Sequence, residues 1–291
     1  MVRPSEEIVV ASRKSPLALA QAELAIASLG LAMPGLDFRV NKMVTTGDRR
    51  REWSLEEKGG KGLFTKELED ALIEERADLA VHSAKDLPSE MPEGLSIAGF
   101  LARETPEDVL VLKDGVDLPA RIATGSPRRR VQLRYLYPKA EFVEIRGNVD
   151  TRLDKIAGGY ADATVLAAAG LNRLGIASWE GVSFKKLSLD ECVPAVGQAA
   201  VAIQCRDEDV SLYEAALHAN TGVAVWLERA FMERLGGGCQ AAFAVNYTDE
   251  SLRIYHKDCG YETRSIPFRY ASEKPREIAD QLIRQLELGD A

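Results

Sequence analysis

The chain has 291 residues, of which 46% are hydrophobic and 28% charged, enough apolar material for two or three cores and a composition that argues against wholesale disorder. Its most apolar stretch, Ala163 to Leu171, holds nine residues including a glycine, far short of the roughly 20 a bilayer-spanning helix needs, so no membrane partner is expected. The net charge of −8 disfavours a broad nucleic-acid footprint.

Ile8 to Ser12 reads as a strand, and Ser15-Pro16 supplies the N-cap and first-turn proline of an amphipathic helix reaching about Leu29. Phe38 to Thr45 reads as a second strand. Thr46 to Gly62 is charged, glycine-bearing and without period, which predicts a long mobile lid. A helix from Thr65 to about Arg76 and strands at Leu79 to Ser83 and Leu95 to Phe100 complete a βαβ-type unit. The pattern then restarts with Asp108 to Lys113, Arg121 to Thr124, a helix opening at Ser126-Pro127, the strand Glu141 to Arg146, a helix over Asn148 to Ala157 and the strand Ala163 to Ala167. A strand-like run, Ala199 to Gln204, precedes helical segments at Asp209 to Ala219 and Val223 to Leu235, the second ended by Gly236-Gly237-Gly238. Beyond Cys239 come strands at Ala241 to Tyr247 and Leu252 to His256, strand-like sequence to Tyr270, and a helix from Pro275 to about Leu288. The fold class this predicts is α/β, with two βαβ-type domains around a cleft and a small α+β C-terminal domain.

The N-terminal residues run straight into Ile8-Val9-Val10 without an apolar signal region, which predicts a cytoplasmic protein. Cys192, Cys205, Cys239 and Cys259 form neither a C-x-x-C pair nor a disulfide framework, so reduced thiols are expected. His82, His218 and His256 are scattered, and no metal site is expected.

From Arg121 to Arg152 the local charge is +5, leaving −13 for the rest, which suits a compact anionic ligand. Ser126-Pro127-Arg128-Arg129-Arg130 sets a helix N-terminus beside three guanidiniums, and Arg146-Gly147-Asn148 with Arg152 forms a second cationic strand-to-helix junction. Arg130 and Arg134 read as a solvated helix face. His82-Ser83-Ala84-Lys85-Asp86 lies where a buried strand emerges, a position suited to catalysis, although Asp86 could equally cap a turn before Pro88. His82 reads as a satisfied structural histidine. Cys239, after three glycines, is the thiol expected to face outward, unlike Cys192 and Cys205 in apolar contexts.

Several segments together resemble the porphobilinogen deaminase (hydroxymethylbilane synthase) family: Arg13-Lys14-Ser15-Pro16-Leu17-Ala18, Gly59-Gly60-Lys61-Gly62-Leu63-Phe64, His82 through Pro88, Arg146 through Leu153, Pro194-Ala195-Val196-Gly197-Gln198 and Gly237-Gly238-Cys239-Gln240. They run in order from about residue 8 to 240, and the last fifty residues match only loosely. The resemblance implies a transferase that deaminates four porphobilinogens and joins them head to tail on a thioether-bound dipyrromethane, then releases hydroxymethylbilane hydrolytically. It implies attachment at Cys239 and catalysis by Asp86. The cofactor-binding positions would be Ser83, Lys85, Thr124, Ser126, Arg128, Arg129, Arg146 and Asn148, and the substrate-binding positions Arg13, Ser15, Lys61, Arg152, Arg173 and Gln198. A monomer is expected, divided into residues 1–101 with 197–216, 102–196, and 217–291.

The chemistry of the residues agrees. Loss of ammonia from an aminomethylpyrrole leaves an azafulvenium cation that a carboxylate stabilises, and each added pyrrole brings two carboxylates that guanidiniums pair with bidentately. Ala123 and Gly125 stand where the family usually has Gly and Ser, Ala199 where it has Gly, Gln204 where it has Glu, and Ala241-Ala242 where it commonly has Val-Pro. Two rival readings remain: a non-catalytic two-domain binding protein for a small polycarboxylate, and a cysteine hydrolase using Cys239, His82 and Asp86.

Overall fold

A computed structural model describes residues 7–49, 64–236 and 242–289. In chain order the elements are β1 (Glu7–Arg13), α1 (Pro16–Ala32), β2 (Asp37–Met43), α2 (Thr46–Arg49), α3 (Lys66–Ile73), β3 (Leu79–Ser83), β4 (Leu95–Phe100) and β5 (Asp108–Lys113). There follow β6 (Arg121–Ala123), α4 (Pro127–Leu136), β7 (Glu141–Val143), α5 (Val149–Ala157), β8 (Ala163–Ala167), α6 (Ala168–Arg173), β9 (Val182–Lys186) and β10 (Val201–Arg206). The chain ends with α7 (Val210–Tyr213), α8 (Ala219–Arg234), β11 (Ala244–Thr248), β12 (Ser251–His256), β13 (Gly260–Ser265), α9 (Phe268–Glu273) and α10 (Pro275–Gln285).

Three sheets organise these elements. The first runs β2-β1-β3-β10-β4, parallel through β1 and antiparallel on both sides of β10. The second runs β7-β6-β8-β5-β9, with β6 parallel to β7 and β8, and β5 antiparallel to both neighbours. The third is the antiparallel meander β11-β12-β13. All six residues of β10 are buried, Gln204 and Arg206 included, as expected of a strand inside a sheet covered on both faces. The third sheet packs on α8 and α10, where Leu227 and Phe231 meet Val245, Ile254, Ile278 and Leu282. Phe231 is fully buried, a site where truncation to alanine costs about 3–5 kcal/mol.

The chain crosses between the first two sheets twice, over residues 101–107 and 187–200. Glu228 of α8, fully buried, clamps both crossings. It accepts from Arg103 Nη1 at 2.6 Å and Nη2 at 3.1 Å, from the Gly197 amide at 2.7 Å, and from the Tyr247 amide of β11 at 2.8 Å.

Several expectations need correction. The predicted lid begins as a short helix, α2, tied to α3 by Glu67, which accepts from the Thr46 amide and hydroxyl at 2.7 Å each; residues 50–62 of that segment lie outside the described residues. Helix α1 is capped by Ser15 as expected, but it is apolar nearly all round, with Leu24 and Leu31 exposed. The strand expected over Glu141 to Arg146 stops at Val143, and the helix expected from Val223 starts at Ala219, where the His218 ring accepts from the Thr221 amide as a cap. Three further elements were not expected: α6, the exposed edge strand β9, and α9 where a strand was predicted. Among the described residues no helix is long and apolar enough to cross a membrane.

Candidate active site

The carboxyl ends of β1, β3, β6, β7 and β8 converge on a cleft between the first two sheets, where open α/β folds place their ligands. The cleft encloses a cavity of about 630 Å³, within the range of small-molecule sites.

Arg13, Ser15, Ser83, Lys85 and Asp86 form the wall contributed by the first sheet. Arg13 follows from the end of β1, and its guanidinium lies 4.4 Å from the Phe64 ring centroid, a stacking that holds a cation without neutralising it. The Ser15 hydroxyl accepts from the Ala18 amide at 3.4 Å, and Ser83 bonds to the Gln21 side chain at 2.9 Å. Burial, joined by the charge of Arg129, pulls the Lys85 ammonium down to about 8.

Thr124, Ser126, Arg128, Arg129, Arg146, Asn148 and Arg152 form the opposite wall, and Arg173 and Gln198 also line the cavity. Ser126 caps α4 by accepting from the Arg129 amide at 3.4 Å, and Thr124 Oγ1 accepts from the Ser126 amide at 3.2 Å. Asn148 stands at the N-cap of α5 but its amide makes no cap bond. Gly147 before it has φ +123°, and a Cβ there would lie 2.8 Å from the Thr151 side chain, so only glycine makes that turn. Arg152 donates to the Gly147 carbonyl at 2.8 Å. Its burial, with Arg129 and Arg146 nearby, lowers the guanidinium to about 10. Arg173 donates to the Ala199 carbonyl, burial lowers its pKa, and its buried Nε has no hydrogen-bond partner.

Arg128 and Arg129 differ from the free forks the sequence suggested. Arg128 donates to Asp108 Oδ2 at 2.8 Å and the Val193 carbonyl at 2.7 Å; Arg129 donates to Asp108 Oδ1 at 2.7 Å and the Val165 carbonyl at 2.8 Å. Gln198, expected to meet substrate, gives its amide to Asp108 at 2.9 Å and the Pro106 carbonyl at 2.7 Å. Burial alone would raise the Asp108 carboxyl, but the two guanidiniums hold it well below the usual carboxylate range. Cys192 is not in an apolar setting: its thiol lies 3.5 Å from both Asp108 and Arg128, and burial pushes it up to about 12. Arg130, expected on a solvated face, bonds to Glu144 at 2.8 Å, whereas Arg134 is exposed. Sequence reasoning missed Asp108, Phe64 and Gln21; the one signal for Asp108 was a carboxylate opening an otherwise apolar strand.

His82 is not among the residues that line the cavity. It is buried, bonded through Nε2 to Gln204 at 2.9 Å, and burial pulls it down to about 4, so a hydrolase relay through it has no support. Gln204, where a glutamate was usual, thus completes a neutral pair. Ala199, in place of the usual glycine, adopts φ +70°, the left-handed conformation that costs a Cβ-bearing residue about 1–2 kcal/mol. Cys239 and Lys61 lie outside the described residues.

Two α/β halves around a cleft lined by guanidiniums from both walls, with the Asp86 carboxylate among them, define a two-domain α/β protein with a cationic cleft. The sequence profile described as "Porphobilinogen deaminase, dipyromethane cofactor binding domain" matches residues 8–214. The porphobilinogen deaminase of Sorangium cellulosum is 45% identical over 250 residues, covering 82% of each chain, and that of Listeria innocua is 39% identical over 303 residues, covering 96% of this chain and 98% of its own. The chain belongs to the porphobilinogen deaminase family. Among solved structures, the periplasmic VFT2 domain of Bordetella pertussis BvgS is similar with a TM-score of 0.45 at 18% identity, over 72% of this chain and 86% of that one.

Proposed function

We propose that the cleft condenses porphobilinogen units into hydroxymethylbilane on a dipyrromethane carried by Cys239. The observation that carries this is the crowding of Arg129, Arg146 and Arg152 around a cavity that Asp86 also lines, where burial and the neighbouring charges of Arg129 and Arg146 lower the Arg152 guanidinium. Such an arrangement is costly in the ligand-free protein and is relieved by carboxylates. The residues fit the cofactor on two counts: the Arg173 Nε is a buried donor without a partner, and a two-pyrrole group brings four carboxylates to a wall of guanidiniums. When bound, the dipyrromethane supplies the free pyrrole carbon to which substrate units are added.

Asp86 holds its negative charge where loss of ammonia from porphobilinogen leaves a cation. At about 4 Å and an effective dielectric near 20 the attraction is roughly 4 kcal/mol, on the order of a thousandfold in rate. Arg146 and Arg152, which line the cavity at the strand-to-helix junction before α5, are the forks for ligand carboxylates. Arg128 and Arg129 form a fixed cationic backing, since Asp108 offsets only one of their two charges. Arg13, Ser83, Lys85, Thr124, Ser126 and Asn148 orient the ligand from the two walls, with Lys61 and Cys239 completing the set. The two halves are residues 1–101 with 197–216, and 102–196, and residues 217–291 form the third domain. The enzyme works as a cytoplasmic monomer whose partner is its small-molecule substrate, and the net charge of −8 supports the absence of a nucleic-acid partner.

Intact mass tests the reading. The purified chain should carry a two-pyrrole adduct that Cys239→Ser lacks, and Asp86→Asn should keep the adduct while turnover drops by orders of magnitude. An unmodified wild-type mass from a host that makes porphobilinogen, or near-normal turnover by Asp86→Asn, would refute it.

A further inference from the structure

The proposed function uses the charged lining of the cavity and leaves a group of apolar side chains without a role. Val149, Leu174, Ile176 and Trp179 of the second half line the cavity together with Leu17 of the first, and each is half-buried. The two halves meet beside this group, since a Cβ on Gly170 of α6 would stand 3.8 Å from the Leu17 side chain. Partly open apolar surface of this kind is what the walls of small-molecule sites are made of.

Trp179 is fixed at this rim by α5. Its Nε1 donates to Asp154 at 3.1 Å, and its carbonyl accepts from the Val182 amide at 3.4 Å in a turn where Gly181 has φ +81°. A Cβ on Gly181 would lie 3.0 Å from the Ala157 Cβ, so the turn packs directly on the same helix. Cations flank the apolar group along the chain: Arg146 and Arg152 lie on either side of Val149, Arg173 immediately precedes Leu174, and all three line the cavity. Of the nearby acids, Asp154 is bonded to the indole and Asp150 accepts from the Thr151 amide at 2.7 Å. A pyrrole unit of porphobilinogen combines an aromatic face with two carboxylates, and this rim offers the complement of both, an indole with aliphatic neighbours and guanidiniums beside them.

We propose that Trp179 is a further substrate-binding residue, whose ring stacks on a pyrrole added to the cofactor while the flanking guanidiniums take its carboxylates. The unit is an added one because the cofactor enters from another body: Met232 and Phe243, which bracket Cys239 in sequence and line the cavity, belong to the core of the third domain, whereas Trp179 packs on the core of the second half. This rests on the reading of the cleft as the porphobilinogen site.

The test uses holoenzyme of the wild type, Trp179→Phe and Trp179→Ala. Trp179→Ala should keep its cofactor and raise KM for porphobilinogen about two- to ten-fold, the range of one aromatic stacking contact. After brief exposure to porphobilinogen its mass ladder should be weighted toward species with fewer added pyrroles. Trp179→Phe should stay within about two-fold of the wild type, because it keeps an aromatic face and loses only the bond to Asp154. Tryptophan emission gives a second readout. Of the three tryptophans, Trp226 lines a separate hollow against Phe100 and Trp53 lies outside the described residues; porphobilinogen should change the emission of the wild type, and most of that change should vanish in Trp179→Phe. An unchanged KM or a lost cofactor in Trp179→Ala, a Trp179→Phe as impaired as Trp179→Ala, or an emission change that survives in Trp179→Phe would overturn the proposal. A wild-type enzyme that binds porphobilinogen without incorporating it would instead refute the activity reading, and the emission change, which needs only binding, would still decide the role of Trp179.

Discussion

Arg128 and Arg152 bring the same guanidinium to the same cleft in opposite electrostatic settings. Arg128 is held by Asp108, and replacing it with leucine strands part of a fully buried carboxylate, a change that costs about 3–5 kcal/mol. Arg152 is depressed by its own burial and by Arg129 and Arg146, so Arg152→Leu removes a repulsion and should leave the ligand-free protein as stable as the wild type or more so. Activity should fall in both. Urea unfolding of the two variants, each freed of cofactor by Cys239→Ser, checks this, and equal destabilisation would show that the Arg152 bond to the Gly147 carbonyl outweighs the repulsion. The sequence revealed the cations because they crowd into two strand-to-helix junctions. It concealed the division of labour between them because Asp108 lies 20 positions before Arg128, and nothing local to either residue records the pairing. Asp86 was legible from its place at a strand exit, although its turn-capping alternative was equally so.

At the scale of elements, β3 and β10 show how a buried polar pair sets a pH dependence. His82 and Gln204 lie on these adjacent strands, and burial pulls the imidazole from 6.5 to about 4. The native ring therefore stays neutral in a window where the unfolded chain takes up a proton, so stability falls as pH drops from about 6.5 to 4, by about 3 kcal/mol for this group. Glu69, whose carboxyl burial raises, works in the opposite direction, so the wild type alone does not isolate the effect. His82→Gln keeps a hydrogen-bond donor for Gln204 but binds no proton, and its unfolding free energy should lose distinctly less between pH 7 and pH 4 than that of the wild type. Parallel losses would show that the ring is already charged in the native state. The elements best read from sequence were those with caps or continuous apolar runs, such as α1, α4 and β10. Those missed, β9 and α9, have weak local signals: β9 is mostly exposed, and α9 buries only Ala271, so tertiary contacts outweigh propensity in both.

In the whole molecule, residues 101–107 and 187–200 join the first two sheets, and Glu228 holds both to the third sheet. Its partners come from three places: Arg103 on the first crossing, Gly197 on the second, and Tyr247 in β11. Gly197 has φ +68°, and a Cβ there would meet the Ala84 Cβ at 3.0 Å and the Lys85 amide at 3.3 Å, so the second crossing lies directly against the turn that carries Asp86. Helix α8, where Glu228 sits, leads into the glycine run before Cys239. One buried carboxylate therefore links the two crossings, the turn that carries Asp86 and the helix preceding Cys239. None of this was visible in the sequence, because Glu228 occupies an ordinary helix position and its partners are 31 or more residues away on one side and 19 on the other. Glu228→Gln keeps the shape but leaves the Arg103 guanidinium, whose side chain is 10% exposed, without its counter-charge. The expected loss is about 3–5 kcal/mol, or a fall in unfolding midpoint of roughly 10 °C for a chain of this size. Calorimetry should show one transition for the wild type and two for this variant, as the third unit uncouples from the cleft. Adding Arg103→Met removes the stranded cation and should recover most of the midpoint, but the two transitions should persist, because methionine restores packing without restoring the link between the crossings. If the double variant unfolds in one sharp step, the three units are joined by apolar packing alone and Glu228 is not their coupling.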